Sequence, residues 1–264
     1  MTNITVQIEN LSKSYDGTVQ ALDRLSLTMF EGEILGLIGP NGAGKTTTIK
    51  ILVGLLKEDS GHISVLGQDI SADPIGYKAN IGYMPEAPAL PDYLTASEFL
   101  GYVARIRSMP KEGIHDRVAE LLTLFDLRAK ADDTIATLSK GMRAKLAFAA
   151  ATIHKPRLLI LDEPLIGIDP AGQHLLKERI VEIAHAGGSV LVSTHQLDTA
   201  ERLCTKVAII HRGRNMATGD LAALRTQAHA GAHQTLEEIF LKLTEEAGEQ
   251  MSETPRRRGF FTRR

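Results

Sequence analysis

Residues Gly39-Pro40-Asn41-Gly42-Ala43-Gly44-Lys45-Thr46 follow the spacing G-x-x-x-x-G-K-S/T, and the flanking segments give that spacing its meaning. Upstream, Glu33 to Ile38 (E-I-L-G-L-I) is a short apolar run of the kind that forms a buried strand. Downstream, Thr47 to Leu56 places Ile49, Leu52, Val53 and Leu56 at helical spacing. Strand, glycine-rich loop and helix in that order make a phosphate cradle. Gly42 and Gly44 let successive backbone N–H groups converge on an anion with no Cβ in the way. The helix adds its positive end. Lys45 supplies a cation for the terminal phosphates and Thr46 a hydroxyl for a magnesium ion. A plain glycine turn would need none of these groups, so the segment reads as a nucleoside triphosphate site.

Composition sets the frame around that loop. The 264 residues suit one domain with an inserted subdomain. With 43% hydrophobic and 23% charged residues, the chain has the balance of an ordinary globular protein. A net charge of −2 argues against a general nucleic-acid-binding surface. The single cysteine, Cys204, cannot form an intrachain disulfide and reads as a small buried apolar residue. Met1 to Tyr15 lacks the basic start and apolar core of a signal peptide, and no apolar run is long enough to span a bilayer. The expectation is a cytosolic chain that meets a membrane only through another chain or a surface contact.

Ile4 to Ile8 and Leu25 to Met29 alternate in polarity, which predicts half-buried strands in an antiparallel layer beside the loop's own sheet. Ser14-Tyr15-Asp16-Gly17 between them is a turn carrying an exposed aromatic. Further strands are expected around Ile63 and Val65 and from Ile81 to Met84. Prolines 85, 88 and 91 then break regular structure. Thr95-Ala96-Ser97-Glu98 is a capping box that opens a helix to about Ser108, and a second helix runs from about Glu112 to Phe125. Residues of about 88 to 150 read as a helical insertion. Leu158 to Leu161 and Ser189 to Ser193 are apolar enough for buried parallel strands, with a helix from about Gly172 to Ala186 between them. A strand at Val207 to Ile210 and an amphipathic helix from Leu236 to Leu243 follow.

Ligands of a parallel sheet lie beyond the carboxyl ends of its strands. Three of the expected strands end in reactive groups: the phosphate loop, Asp162-Glu163, and the neighbourhood of His195. If those strands are neighbours, the three ends share one rim. An apolar strand ending in Asp162 supplies a carboxylate for magnesium. Glu163, one residue on, is placed to take the proton of an attacking water. Leu138-Ser139-Lys140-Gly141-Met142 begins another helix, capped by Ser139 and left bare by Gly141. Locally this is a helix start; it is equally a second anion site. One chain has no obvious use for two such sites, whereas a head-to-tail dimer does.

The phosphate loop, Leu138 to Met142, L-L-I-L-D-E-P, Gly167-Ile168-Asp169-Pro170 and Ser193-Thr194-His195 occur in an order that resembles an ABC transporter ATP-binding subunit of bacterial exporter type, over about residues 4 to 243. The resemblance implies a P-loop (RecA-like) α/β core with an antiparallel β subdomain and an inserted helical subdomain. It implies ATP hydrolysis with Mg2+, coupled to a separately encoded integral membrane permease at the cytoplasmic face of the membrane, and a homodimer when ATP is bound. Under it, Tyr15 is similar to the aromatic that stacks on adenine. Gly39, Asn41, Gly42, Gly44, Lys45, Thr46 and Thr47 are similar to the nucleotide and magnesium cradle. Ser139 and Gly141 resemble the signature that closes over ATP on the opposite subunit, and Asp169 the loop aspartate that signals across the dimer. Asp162 resembles the magnesium carboxylate, Glu163 the catalytic base and His195 the switch histidine at the γ-phosphate.

Three positions depart from that pattern. Glu86 stands where the family usually has glutamine; a carboxylate approaches magnesium or water but donates no amide hydrogen bond. Lys140 brings a side chain and a charge into the signature, and Leu165-Ile166 is more apolar than usual.

Residues 244–264 form a basic tail, with Arg256, Arg257, Arg258, Arg263 and Arg264 around Phe260-Phe261. It reads as a solvated end, or as an aid to docking on anionic lipid. His229 and His233, four apart with Gly231 between them and no third ligand, read as non-metal residues. A competing reading, a soluble ABC-type ATPase of translation or DNA repair, usually carries two cassettes or a long coiled coil, and this sequence has neither. A small-molecule kinase would explain the phosphate loop but not Leu138 to Met142.

Overall fold

The computed structural model describes residues 3–229, 231 and 233–252, with side chains as far as residue 244; the arginine-rich segment 255–264 lies outside the described residues. The chain opens with β1 (Ile4–Tyr15) and β2 (Val19–Phe30), joined by a tight turn in which Asp16 and Gly17 take φ of 51° and 66°. Tyr15 is both the last residue of β1 and the first of the turn, its carbonyl accepting from Thr18 N at 3.1 Å. A register shift between Ile4 and Val6 turns Ile4 outward and Thr5 inward, so the expected alternation begins at Val6.

β3 (Ile34–Ile38) leads through the glycine loop into α1 (Lys45–Leu52). This helix starts two residues before the expected Thr47 and stops at Leu52 instead of Leu56. Gly54, at φ 68°, turns the chain, and the Leu55 and Leu56 N–H groups fold back onto the Lys50 carbonyl. β4 (Ser60–Val65), β5 (Gln68–Asp69) and β6 (Ile81–Met84) follow. Three helices then depart from the sheet: α2 (Ala96–Ile106), α3 (Lys111–Leu124) and α4 (Lys140–Thr152). α2 opens with the reciprocal cap expected of it: Glu98 N donates to Thr95 Oγ1 at 3.2 Å, and Thr95 N donates to Glu98 Oε2 at 2.9 Å.

The strand-and-helix pattern resumes with β7 (Leu158–Asp162), α5 (Pro170–His185), β8 (Ser189–Thr194) and α6 (Leu197–Leu203). β9 (Lys206–His211), β10 (Arg214–Gly219), α7 (Leu221–Gln227) and α8 (Leu236–Ser252) complete it. α8 runs on past Leu243, where the apolar spacing had suggested an end. β5, α6, β10 and α7 have no counterpart in the sequence reading, because each spans seven residues or fewer and shows too little of a period.

Two sheets organise these elements. The first has four strands in the order β2-β1-β4-β5, antiparallel throughout. The second has six in the order β10-β9-β3-β8-β7-β6, parallel except for the β9–β10 hairpin. The six-stranded sheet is covered on both faces, which is why β3, β7 and β8 are buried along their whole length. Period-2 alternation divides their side chains. Leu159, Leu161, Val190 and Val192 pack with the helical insertion and α5. Leu158, Ile160, Leu191, Leu35 and Leu37 pack with α1 and the antiparallel sheet. Ile38, Val207 and Ile209 meet a third cluster from α6, α7 and α8. Ser189 stitches the layers, since its Oγ lies 3.0 Å from Thr5 Oγ1 and accepts from Gly32 N at 3.2 Å.

Candidate active site

β3, β8 and β7 are adjacent and parallel, so their carboxyl ends do share one rim. A cavity of about 360 Å³ opens there, between the glycine loop, the end of β1, Glu86, Glu163 and His195. β6 lies beside β7 in the same sense, and the chain leaving it carries Glu86 to this cavity as a fourth contributor.

The loop's shape follows from close approach as much as from backbone freedom. At Gly44, φ is 110° and a Cβ would come within 2.8 Å of the Ala21 carbonyl on β2. At Gly39, a Cβ would lie 2.2 Å from the Ile210 carbonyl on β9. The loop is thereby wedged between the antiparallel layer and the parallel sheet. Lys45 folds back across it, its Nζ donating to the carbonyls of Gly39 (2.6 Å) and Pro40 (3.2 Å). Burial draws the Lys45 ammonium below its ordinary pKa, and the carboxylates of Glu163, Asp162 and Glu86 counteract that pull. A buried cation facing three carboxylates in an open cavity is held for a more strongly anionic guest.

On the facing strands, Asp162 is buried and accepts from Ser193 Oγ at 2.5 Å, its register partner in the parallel pair. Thr46 Oγ1 lies 3.5 Å from Asp162 Oδ1, at the outer limit of a hydrogen bond. Glu163 sits at φ 48°, a strained value for this residue type, held by N–H bonds to the carbonyl (3.1 Å) and hydroxyl (3.2 Å) of Ser193. Its carboxylate meets His195 Nδ1 at 2.8 Å. Tyr15 reaches the loop from the end of β1, its phenol oxygen 3.3 Å from Thr47 Oγ1. Burial, with the Asp162 charge adding to it, pushes the Tyr83 phenol up to about 12.

The residues singled out by sequence therefore fall into two groups. Tyr15, Asn41, Gly42, Gly44, Lys45, Thr46, Thr47, Glu86, Glu163 and His195 line the cavity, with Gly39 and Asp162 directly behind it. Ser139, Gly141 and Asp169 do not line it. They form a second cluster. Ser139 caps α4, accepting from Met142 N at 3.2 Å, and Asp169 caps α5, accepting from Gly172 N at 3.0 Å. The bond from Gly172 N holds the Asp169 carboxyl below the usual carboxylate range. A Cβ on Gly141 would lie 3.4 Å from Asp169 Oδ2, and the Lys140 side chain runs against Gly167. Sequence reasoning missed Val19, Gln20 and Ala21 on the cavity wall and the bridging role of Ser193. Only Ser193 left a trace, as a hydroxyl at the end of an apolar strand.

Oxygen donors at the cavity suit a small hard cation: a hydroxyl at Thr46 and carboxylates at Asp162 and Glu86, with the His195 imidazole engaged by Glu163. Magnesium takes one or two carboxylates plus phosphate oxygens and not an all-protein cage.

Comparison with known proteins agrees with this geometry. Residues 22–166 match the model of the ABC transporter family. The Nod factor export ATP-binding protein I of Sinorhizobium fredii (strain NBRC 101917 / NGR234) is 38% identical over 223 residues, which span 84% of this chain and 65% of that protein. The ABC-type transporter ATP-binding protein EcsA of Bacillus subtilis (strain 168) is 39% identical over 225 residues, 85% of this chain and 91% of its own. A solved structure of an ATP-binding subunit of an ABC transporter superposes with a TM-score of 0.85 at 36% identity, covering 91% of this chain and 99% of that one. A phosphate-loop α/β core, a cradle around Lys45 and these matches converge: the chain belongs to the ABC transporter family, as an ATP-binding and ATP-hydrolysing subunit.

Proposed function

We propose that two copies of this chain hydrolyse ATP between them and use the cycle to drive a separately encoded membrane permease, in the direction of export. The observation that carries this is the split of the site. The cavity around Lys45 would grip phosphates from one side only, while Ser139 and Gly141 offer a capped helix start elsewhere on the chain, with no part in that cavity. A head-to-tail pair brings one to the other and completes two sites at once. Export is inferred from relatives such as the Nod factor export ATP-binding protein I. A peripheral place on the cytoplasmic face fits too, since no described helix is long and apolar enough to cross a membrane. The segment from Glu86 to Leu94, where Tyr93 stands 81% exposed, is the proposed permease contact.

In this reading the loop N–H groups, Lys45 and the start of α1 hold the phosphate chain, and Tyr15 packs on the base. Thr46, Asp162 and Glu86 would hold Mg2+, which when bound neutralises charge developing on the phosphate oxygens. Glu163 accepts the proton of the attacking water, and His195, bonded to its carboxylate, fixes that carboxylate's direction. Asp169, beside Gly141, relays the state of one site to the other. Glu163→Gln tests the assignment. Turnover should fall by about 10²-fold or more while ATP affinity is kept; turnover within a few-fold of the parent protein would remove Glu163 from its role.

A further inference from the structure

A second cavity, of about 580 Å³, lies where the helical insertion meets the parallel core. Arg157 and Gly188, the residues just before β7 and β8, stand at its edge, with Glu31 shortly before β3. It therefore opens at the amino ends of the strands whose carboxyl ends carry the phosphate site. Its size is that of a small-molecule pocket. The floor is apolar: Leu121, Leu124 and Phe125 come from α3 and its end, Phe148 from α4, and Ile183 from α5. Phe125 and Phe148 meet at 5.5 Å between ring centroids, tilted by 57°, which gives a rigid aromatic base. At Gly187 a Cβ would meet nothing within 4 Å, so bare backbone leaves that wall open.

The charge around this floor is largely compensated, with the Lys155 ammonium left over. Arg117, Lys155, Arg157 and Arg179 line the cavity against Glu31 and Glu182. The Glu31 and Glu182 carboxylates pair with Arg157 and Arg179. Arg117 is held by Glu120 and by the carbonyls of Thr152 and Ile153. Two donors stay unmatched among the described residues: the exposed Lys155 ammonium, which no carboxylate meets, and the buried Nε of Arg179, whose other nitrogens meet Glu178 and Glu182. Buried donors without partners are rare, and one beside an apolar cavity calls for an acceptor.

We infer that this cavity is a binding site for a small amphipathic anion, an acyl or aryl carboxylate, with its apolar body against Leu124 and Ile183, above the buried Phe125–Phe148 pair, and its carboxylate at Lys155 and Arg179. The unmatched Lys155 ammonium and Arg179 Nε–H select an anion over a neutral apolar molecule, and a cavity of about 580 Å³ suits a small ligand. Because the ligand would touch α3, α4 and α5 together, it would clamp the insertion to the core.

The test is isothermal titration of the full chain with sodium decanoate, below its micelle concentration, in saturating ADP and Mg2+. One saturable site per chain is expected, with decanol binding at least tenfold more weakly. Lys155→Glu, on an exposed side chain, should weaken decanoate at least tenfold and leave ATP turnover unchanged. Leu124→Trp should fill the cavity and abolish binding; if it lowers the melting temperature, Lys155→Glu decides alone. The inference fails if decanoate shows no saturable binding, if Lys155→Glu binds it as the parent does, or if decanol binds equally well.

Discussion

Lys45 and Glu86 show how single residues set the character of this site. Lys45 is buried, bonded to two loop carbonyls and surrounded by three carboxylates. Removing its charge should remove a charge-assisted contact worth about 1.5–3 kcal/mol. Lys45→Ala is therefore expected to weaken ATP binding about ten- to a hundredfold by equilibrium titration. Glu86 is the departure with chemical consequence, because a third carboxylate at the cavity adds negative charge near the proposed metal position. Glu86→Gln should raise the Mg2+ concentration for half-maximal turnover about tenfold, with less effect on the rate at saturating Mg2+; an unchanged Mg2+ curve would separate Glu86 from the metal. At this scale the sequence was informative where spacing carries chemistry, as from Gly39 to Thr46. Ser193 and the wall at Val19 to Ala21 were illegible, since their roles come from strand register and from the antiparallel layer folding over the loop.

Elements with strong local signals were legible, and those defined by tertiary contact were not. Thr95 to Glu98 announced a helix start, and both reciprocal bonds form. Thr95→Ala should cost about 1 kcal/mol, read as a shift of the denaturation midpoint. α1 differed from its apolar period because Gly54 ends it early, and the short helices α6 and α7 take their definition from the third core cluster. His154, just beyond α4, shows what element packing does to a titrating group. Its Nε2 lies 3.1 Å from the Ile81 carbonyl. Burial, with Arg107 nearby, pushes the imidazole down to about 4 from 6.5. The fold thus favours neutral histidine, and the unfolded chain takes up the proton first. This contribution is complete above about pH 6.5 and is lost as pH falls toward 4. His154→Gln keeps a donor for Ile81 but does not titrate, so its melting temperature should fall less steeply than the parent's between pH 7 and 4.5. Parallel curves would contradict the assignment.

For the whole molecule, the architecture follows from a few long-range consequences of short signals. Continuous apolar runs at β3, β7 and β8 imply strands buried on both faces, and that places their three reactive ends side by side. Strand order itself is not written in any one segment. It comes from layers that only the complete sheet assembles, with α1 and the antiparallel sheet on one face and the insertion with α5 on the other. The same assembly keeps Ser139, Gly141 and Asp169 out of the Lys45 cavity, and under the proposed function a single copy is then chemically incomplete. Sedimentation of Glu163→Gln with and without ATP and Mg2+ tests that statement most directly, alongside the double variant with Ser139→Arg. Glu163→Gln should pass from monomer to dimer on adding ATP, while the double variant should bind ATP and remain a monomer. A double variant that dimerises as readily, or a Glu163→Gln chain that stays monomeric at saturating ATP, would contradict a site shared between two copies.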